Sequence, residues 1–341
     1  MRLVKDIFVV LALMFVTSCE RYIDLNKIGP ERLLVVNANL LSGDTLQTFL
    51  LSWSLFDAVK PVESAHLEFY VNGELAATSD DVHELDRFSS YVSEMKVKAT
   101  FKEGDKVKIK VASGESHAEI TAIAPTAPKI TSVDTTEFST KDKQGDVEEF
   151  YMAKVSLSDV PGENNYYRII MSVESEFYAS QVSADSGYKE GQFLCNASKA
   201  IDFDNTYESL LYKKMKIGMD SDSDDKDNYY ANKFNLFTDN SFADGAYTLK
   251  LAFGKYDLYN YYPGSWSSDM FRPVASNSIR FRVLSMSRSS YNYMNDYAFD
   301  MSDQGDWTFI GDIPYPSNVK GGTGMVSVMT PADYYVRLGN Q

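Results

Sequence analysis

Asp220, Asp222 and Asp224 form a D-x-D-x-D pattern inside DSDSDDKD (220–227), the spacing with which a calcium loop begins. Such a loop next needs Gly at its sixth position and Glu at its twelfth, where this chain has Asp225 and Ala231. The run therefore reads as a solvated linker. His66, His83 and His117 could ligate a metal, but none has the i, i+4 spacing or the cysteine companions of a zinc site. Gly321-Gly322-Thr323-Gly324 has the look of a phosphate cradle. Met325-Val326 follow where a P-loop carries Lys and Ser or Thr, so these glycines suit a bulge or tight turn before a final strand. There is no G-x-S-x-G elbow, and acidic residues are too numerous for any carboxylate pair to stand out. The expectation is a non-enzymatic chain with no catalytic residues, no metal site and no cofactor.

One stretch has binding rather than catalytic character. In KYDLYNYYPGSWSSDMFRP (255–273), Tyr256, Tyr259, Tyr261, Tyr262 and Trp266 cluster around the turn signal Pro263-Gly264. Flat rings exposed at a loop tip stack on sugar faces or anchor protein interfaces. The competing reading is that alternate rings fill a sheet core while the others cover its edge. The five residues are candidate contacts for a ligand or partner.

The other distinctive chemistry is at the start of the chain. Arg2 and Lys5 precede an apolar run from Ile7 to Val16, too short to span a bilayer and suited to a signal peptide. Val16-Thr17-Ser18-Cys19 then follows the lipobox pattern of an aliphatic residue, two small residues and Cys. Cys19 would carry a diacylglyceryl group and, after cleavage, an acylated amine, enough acyl chain for stable anchoring. Cys195 would then be the only other thiol, so no intramolecular disulfide is possible; it reads as a small core residue.

Composition narrows the partners. The net charge of −15 argues against nucleic acid, whose affinity comes from Lys and Arg neutralising phosphates. It also argues against docking on anionic lipid through a basic patch. The lipid itself must hold the protein at the membrane.

These candidates need a scaffold, and the chain is rich in strand signals. Residues 1–18 read as a lipoprotein signal peptide and 19–31 as a lipidated tether. From Arg32, the segments LLVVNANLL, TLQTFLLSWS, HLEFYV, ELAAT, YVSEMKVKAT, KVKIKV and AEITAIA show β-branched and aromatic enrichment, and several alternate apolar with polar. Asn72-Gly73 marks a two-residue hairpin between HLEFYV and ELAAT. Residues 32–124 are expected to form an immunoglobulin-like β-sandwich. PTAP (125–128) begins a second β-rich domain over 125–341. In that domain 286–301 place Tyr291, Met294, Tyr297 and Met301 at helical spacing, a short helix packed on a sheet.

Four stretches of this second region, SDVPGENNYYRI (158–169), LFTDNSFADGAYTLKL (236–251), VLSMSRSSYNYM (283–294) and IPYPSNVKGGTGMV (313–326), occur in order. With SCERYIDL at the processed end, they resemble the Bacteroidetes lipoprotein family called domain of unknown function 4249. Thr323 and Val326 depart from that pattern, which usually has an apolar residue and an aromatic there. The resemblance implies a β-rich outer-membrane lipoprotein often encoded near TonB-dependent transporters, and it implies no catalytic residues. The expected role is an accessory or binding subunit of such a transporter, with its ligand unknown. A structural or adhesive surface protein is the alternative, and a hydrolase a further one.

Within this group, surface export goes with acidic residues soon after the lipidated cysteine. Here Glu20 and Asp24 are separated by Arg21, Tyr22 and Ile23. The reading leans to the cell surface over the periplasmic face. Protease shaving of intact cells is expected to remove the protein, and its protection would rule the surface placement out.

Overall fold

The computed structural model describes residues 32–54, 59–84, 91–141, 145–159, 164–184, 187–211, 232–255, 258, 271–273, 278–300 and 316–337. Over these residues the chain is mainly β, with eighteen strands in three sheets and one α-helix of more than a turn. The hairpin at Asn72-Gly73 forms as the sequence predicts, with φ of 53° and 91° at its two turn residues.

Alternation sets the first core. In β1 (Leu33–Leu41), Leu34, Val36, Ala38 and Leu40 are buried while Asn37 and Asn39 point to the other face. Strand β1 pairs antiparallel with β2 (Gln47–Ser54), which in turn pairs with β3 (Val59–Pro61) and β7 (Ser93–Val97); β6 (Val82–Glu84) lies beyond β7. Facing this layer is a four-stranded sheet in the order β5 (Glu74–Ser79), β4 (His66–Val71), β8 (Lys106–Ser113), β9 (Ser116–Ile123). Phe49 and Leu51 of one layer share a continuous apolar core with Leu67, Phe69, Ile109 and Ile120 of the other. Phe49 meets Phe69 edge-on, with ring centroids 6.5 Å apart.

A second core forms in the same way further along the chain. Strands β10 (Lys129–Lys141), β11 (Val147–Ser158) and β15 (Ala246–Gly254) make an antiparallel sheet. It packs Val155, Leu157, Leu249 and Leu251 against Tyr167, Ile169, Ile279 and Phe281. Those residues come from β12 (Tyr166–Ala184) and β17 (Ser278–Met286), in a sheet that also holds β13 (Gly187–Ile201), β14 (Leu236–Thr238) and β16 (Phe271–Pro273). The helix, α1 (Arg288–Asp300), follows β17 and falls where the spacing predicts one. Met294 enters a third, smaller apolar cluster with Leu236, Leu284, Met286 and Met329.

One strand makes the two cores a single structure. The first part of β18 (Val326–Arg337) runs parallel to β1, from Ala38↔Val326 to Leu41↔Met329. Its second part runs antiparallel to β17, from Ser285↔Thr330 to Ser278↔Arg337. Val319, Val326 and Val328 are thereby part of the first core, although they come from the other end of the chain. The second part is held to β17 by a bidentate pair: Arg282 Nε and Nη2 donate to Asp333 Oδ1 and Oδ2 at 2.7 and 2.6 Å. Asp333 raises the Arg282 pKa above the usual guanidinium value.

The glycines expected to form a turn before the last strand do more than turn the chain. Backbone bonds link Glu119 and Lys320 in both directions (2.8 and 2.9 Å), and Thr323 N–H donates to Leu34 O at 2.9 Å. The segment thus crosses from β9 in one layer to β1 in the other. A Cβ on Gly322 would lie 2.3 Å from Leu34 O, and one on Gly324 2.3 Å from Val36 O, with Gly324 also at φ +110°. Only glycine permits this backbone-to-backbone approach.

A paired substitution separates conformational strain from collision. Gly114, at φ +58° with open space around it, isolates the strain. Gly114→Ala should cost about 1–2 kcal/mol in equilibrium urea unfolding. Gly324→Ala adds contact with Val36 O and should cost about 3–5 kcal/mol. Equal losses for the two would show that the crossing is not sterically tight.

Candidate functional site

The faces of β1, β2, β12 and β18 that turn away from the cores meet under α1 and line a half-open cavity of about 570 Å³. Its floor is Asn37, Asn39, Thr48, Leu50 and Ser327, each alternating with a core residue of the same strand. Its roof is Tyr293, Met294 and Tyr297 of α1, with Phe234 from the chain before β14. The period of two makes this arrangement: while Tyr167 and Ile169 enter the second core, Arg168 between them points to the opposite face.

Arg168 is the unusual member. It sits near the start of β12, in register with Leu236 on one side and Leu284 on the other. Its Nε is sealed from solvent without an acceptor, and no carboxylate pairs with it among the described residues. Its Cζ stands 5.2 Å from the centroid of the Phe234 ring. Burial pushes its pKa below the ordinary guanidinium value, although a guanidinium remains a cation at any physiological pH.

The cavity's remaining polar groups are neutral. Asn37 Oδ1 accepts the Met325 N–H at 2.9 Å and so braces the floor. The Ser327 hydroxyl is buried with no hydrogen-bond partner. Burial also raises the pKa of Tyr293, which stays a neutral phenol. No carboxylate, histidine or cysteine is among the described lining residues. In a chain with 48 acidic residues, that composition sets the site apart.

The scaffold beside it is pinned by satisfied polar groups. Asn165 donates from its backbone and side chain to Asp239 Oδ2 at 3.0 and 3.2 Å, holding the start of β12 to the turn after β14. Buried Asn232 donates to Leu211 O and Leu236 O and accepts from Leu236 N–H, tying Leu211 to the start of β14. Buried Glu208 accepts from Leu210 N–H, Tyr247 Oη–H and Lys250 N–H at 2.8–3.0 Å. Unlike Arg168, these groups have the partners that buried polar atoms require.

A second cleft of about 540 Å³ lies on the outer face of the four-stranded sheet and gathers His66, Glu68, Lys110, His117, Glu119 and Lys320. Its charges largely answer one another. Lys110 pairs with Glu68 at 3.4 Å, Lys108 with Glu119 at 3.0 Å, and His66 Nδ1 lies 2.6 Å from Asp80. A hydrogen bond from Tyr70, aided by Lys110, holds the Glu68 carboxyl below its usual range. His83 stands apart, 61% exposed beside Asp81. Among the described residues no group of His, Cys, Asp and Glu is arranged to hold a metal ion.

The residues favoured by the sequence fall elsewhere in the chain from the described lining of this cavity. Cys19, the aromatic candidates Tyr256, Tyr259, Tyr261, Tyr262 and Trp266, and the acidic Asp220, Asp222 and Asp224 lie outside the described residues. The backbone of Cys195 pairs with Phe177, and its side chain lies outside them too. Arg168 escaped sequence reasoning because one charged residue in a strand normally marks a solvated face. The available signal was the run YYRIIM, where a lone cation interrupts apolar residues on both sides.

Residues 20–334 match the family model described as Domain of unknown function (DUF4249), and the chain belongs to that family. No curated protein matches it.

Replacing a half-buried charge that has no partner by an apolar side chain of similar length removes part of a desolvation penalty. Arg168→Met is therefore expected to leave urea stability unchanged or raise it by up to about 2 kcal/mol. Glu208→Ala should instead cost about 3 kcal/mol or more, since it orphans three donors. A clear loss of stability in Arg168→Met would show that the guanidinium is a structural brace.

Proposed function

We propose that this DUF4249 member is a non-enzymatic outer-membrane lipoprotein, tethered through Cys19, that serves as a binding subunit beside a TonB-dependent transporter. The observation that carries the reading is the cavity under α1, with an unpaired guanidinium inside an aromatic roof. A group of that kind weakens the isolated fold, and perturbed ionisable groups in clefts cluster at functional sites. The cavity's volume falls in the range of small-molecule pockets, and its few polar groups converge on otherwise apolar walls. Asn, Ser, Thr and Tyr side chains orient a ligand. The described lining carries no group that would move a proton at neutral pH, which favours binding over turnover.

The mechanism follows from tethering. A lipid on Cys19 confines the protein to the membrane plane, so a ligand held under α1 stays at high local concentration near a transporter mouth. The transporter is the partner that the family resemblance implies. Anchoring through lipid suits a chain of net charge −15, which has no attraction to anionic headgroups.

Purification of the tagged full chain from detergent-solubilised membranes tests the accessory role. A β-barrel transporter should co-purify at fixed stoichiometry. Recovery of the lipoprotein without a barrel, under detergents that keep other outer-membrane complexes intact, would overturn it.

A further inference from the structure

We infer that the cavity under α1 takes a ligand with one carboxylate on a flat, apolar body, and that Arg168 is the counter-ion of that carboxylate. The inference rests on the binding role proposed above and adds the chemical class of what is bound.

Charge comes first. Among the described lining residues Arg168 is the only cation, with no lysine or second arginine to share an anion. One guanidinium balances one negative charge. A doubly charged phosphate would bring a second charge into walls that cannot answer it. A carboxylate matches the guanidinium fork in shape as well as charge, and the pair is stronger at a half-buried guanidinium than at a fully solvated one. The protein supplies no carboxylate of its own at this point, although Arg280 and Arg282 on the neighbouring strand are each paired with one, Glu174 and Asp333. Of the three arginines on β12 and β17, Arg168 is the one left for an outside partner.

The rings then define the body of the ligand. Phe234 lies against the guanidinium, Tyr297 stacks on Phe234 with centroids 6.1 Å apart, and Tyr293 lies parallel to Tyr297 at 6.3 Å and 1°. These rings form an unbroken aromatic track leading away from the charge. Tyr297 is 39% exposed and Leu50, on the floor opposite, is 38% exposed, so the outer end of the track opens towards solvent. A planar body attached to the carboxylate can lie along the track while Leu50 and Met294 close on its apolar surface. The Ser327 hydroxyl, buried without a partner, and the Thr48 and Asn39 side chains mark the polar side of the floor. They provide for a ligand with a hydroxyl or carbonyl on one edge.

Calorimetric titration of the mature, delipidated full chain tests this with four probes: 2-naphthoate, its neutral isostere 2-naphthamide, acetate and inorganic phosphate. Naphthoate is expected to bind, and naphthamide and acetate each at least about tenfold more weakly, because each lacks one of the two elements. Phosphate should not compete with naphthoate. Arg168→Gln should weaken naphthoate at least about tenfold without lowering the melting temperature of the free protein, and Arg168→Lys should retain part of the affinity. Tyr297→Ala should weaken naphthoate but leave acetate unchanged.

Equal binding of naphthoate and naphthamide would overturn the carboxylate, as would phosphate binding that depends on Arg168. In both cases a binding pocket would still stand. Failure of all four probes at millimolar concentration would overturn the ligand class. The accessory role is decided separately by co-purification with the barrel.

Discussion

Everything in this fold depends on a close approach of backbone to backbone where the late chain crosses the early one. From Lys320 to Met325, hydrogen bonds reach first to Glu119 in one layer and then to Leu34, Val36 and Ala38 in the other. Side chains would hold these strands apart; at Gly322 and Gly324 there are none. Once the crossing is made, Val326 and Val328 fall into the first core and the rest of the strand continues into the second sheet. The crossing couples two apolar cores that could otherwise slide or separate, and it does so with peptide groups that are obliged to find partners.

The same crossing shapes the cavity. A strand in a sheet has two faces, and each strand around the site uses one for a core and lends the other to the pocket. Asn37 and Asn39 alternate with Val36, Ala38 and Leu40; Ser327 alternates with Val326 and Val328; Arg168 alternates with Tyr167 and Ile169. No residue needs an unusual conformation to reach the site. Positioning comes from the period of the pleat and from α1, which buries Met294 and thereby turns Tyr293 and Tyr297 over the floor. A site built on strands and a helix is held more firmly than one carried on loops.

Local structure was legible in the sequence because it is written locally. Alternation in LLVVNANLL and HLEFYV, Asn72-Gly73 and the 3.6-residue spacing of Tyr291 and Met294 each indicate their element without reference to the rest of the chain. The pairing of β1 with β18 was not legible, since an apolar strand does not name its partner and this partner lies at the far end of the sequence. Strand β13 is not legible either: GYKEGQFLCNASKAI mixes glycine and charge without clear alternation, and its hydrogen bonds to β12 define it instead. The glycines of 321–324 were read correctly as conformational. Their close packing on Leu34 and Val36 needed the tertiary structure. The candidate site followed the same division. Aromatic density drew attention to 255–273, whereas Arg168 is distinguished only by the partner it lacks, and a missing partner cannot be seen in one dimension.

Sharing the last strand also constrains how the molecule can come into being. Asn37 accepts the N–H of Met325, a contact spanning 288 residues, and the parallel pairing of β1 waits on the same late segment. A chain emerging amino end first, whether from a ribosome or across a membrane, cannot close its first core until nearly all of it has arrived. During that interval the edge of β1 that later takes β18 has no partner, and Leu34, Val36 and Leu40 are covered only by the strands up to β9. Folding of this kind is slow, because the entropy of a very long loop is lost before the pairing that compensates it forms. A truncation near its carboxyl end would strip strand pairing from both cores, including the one built from the opposite end of the chain.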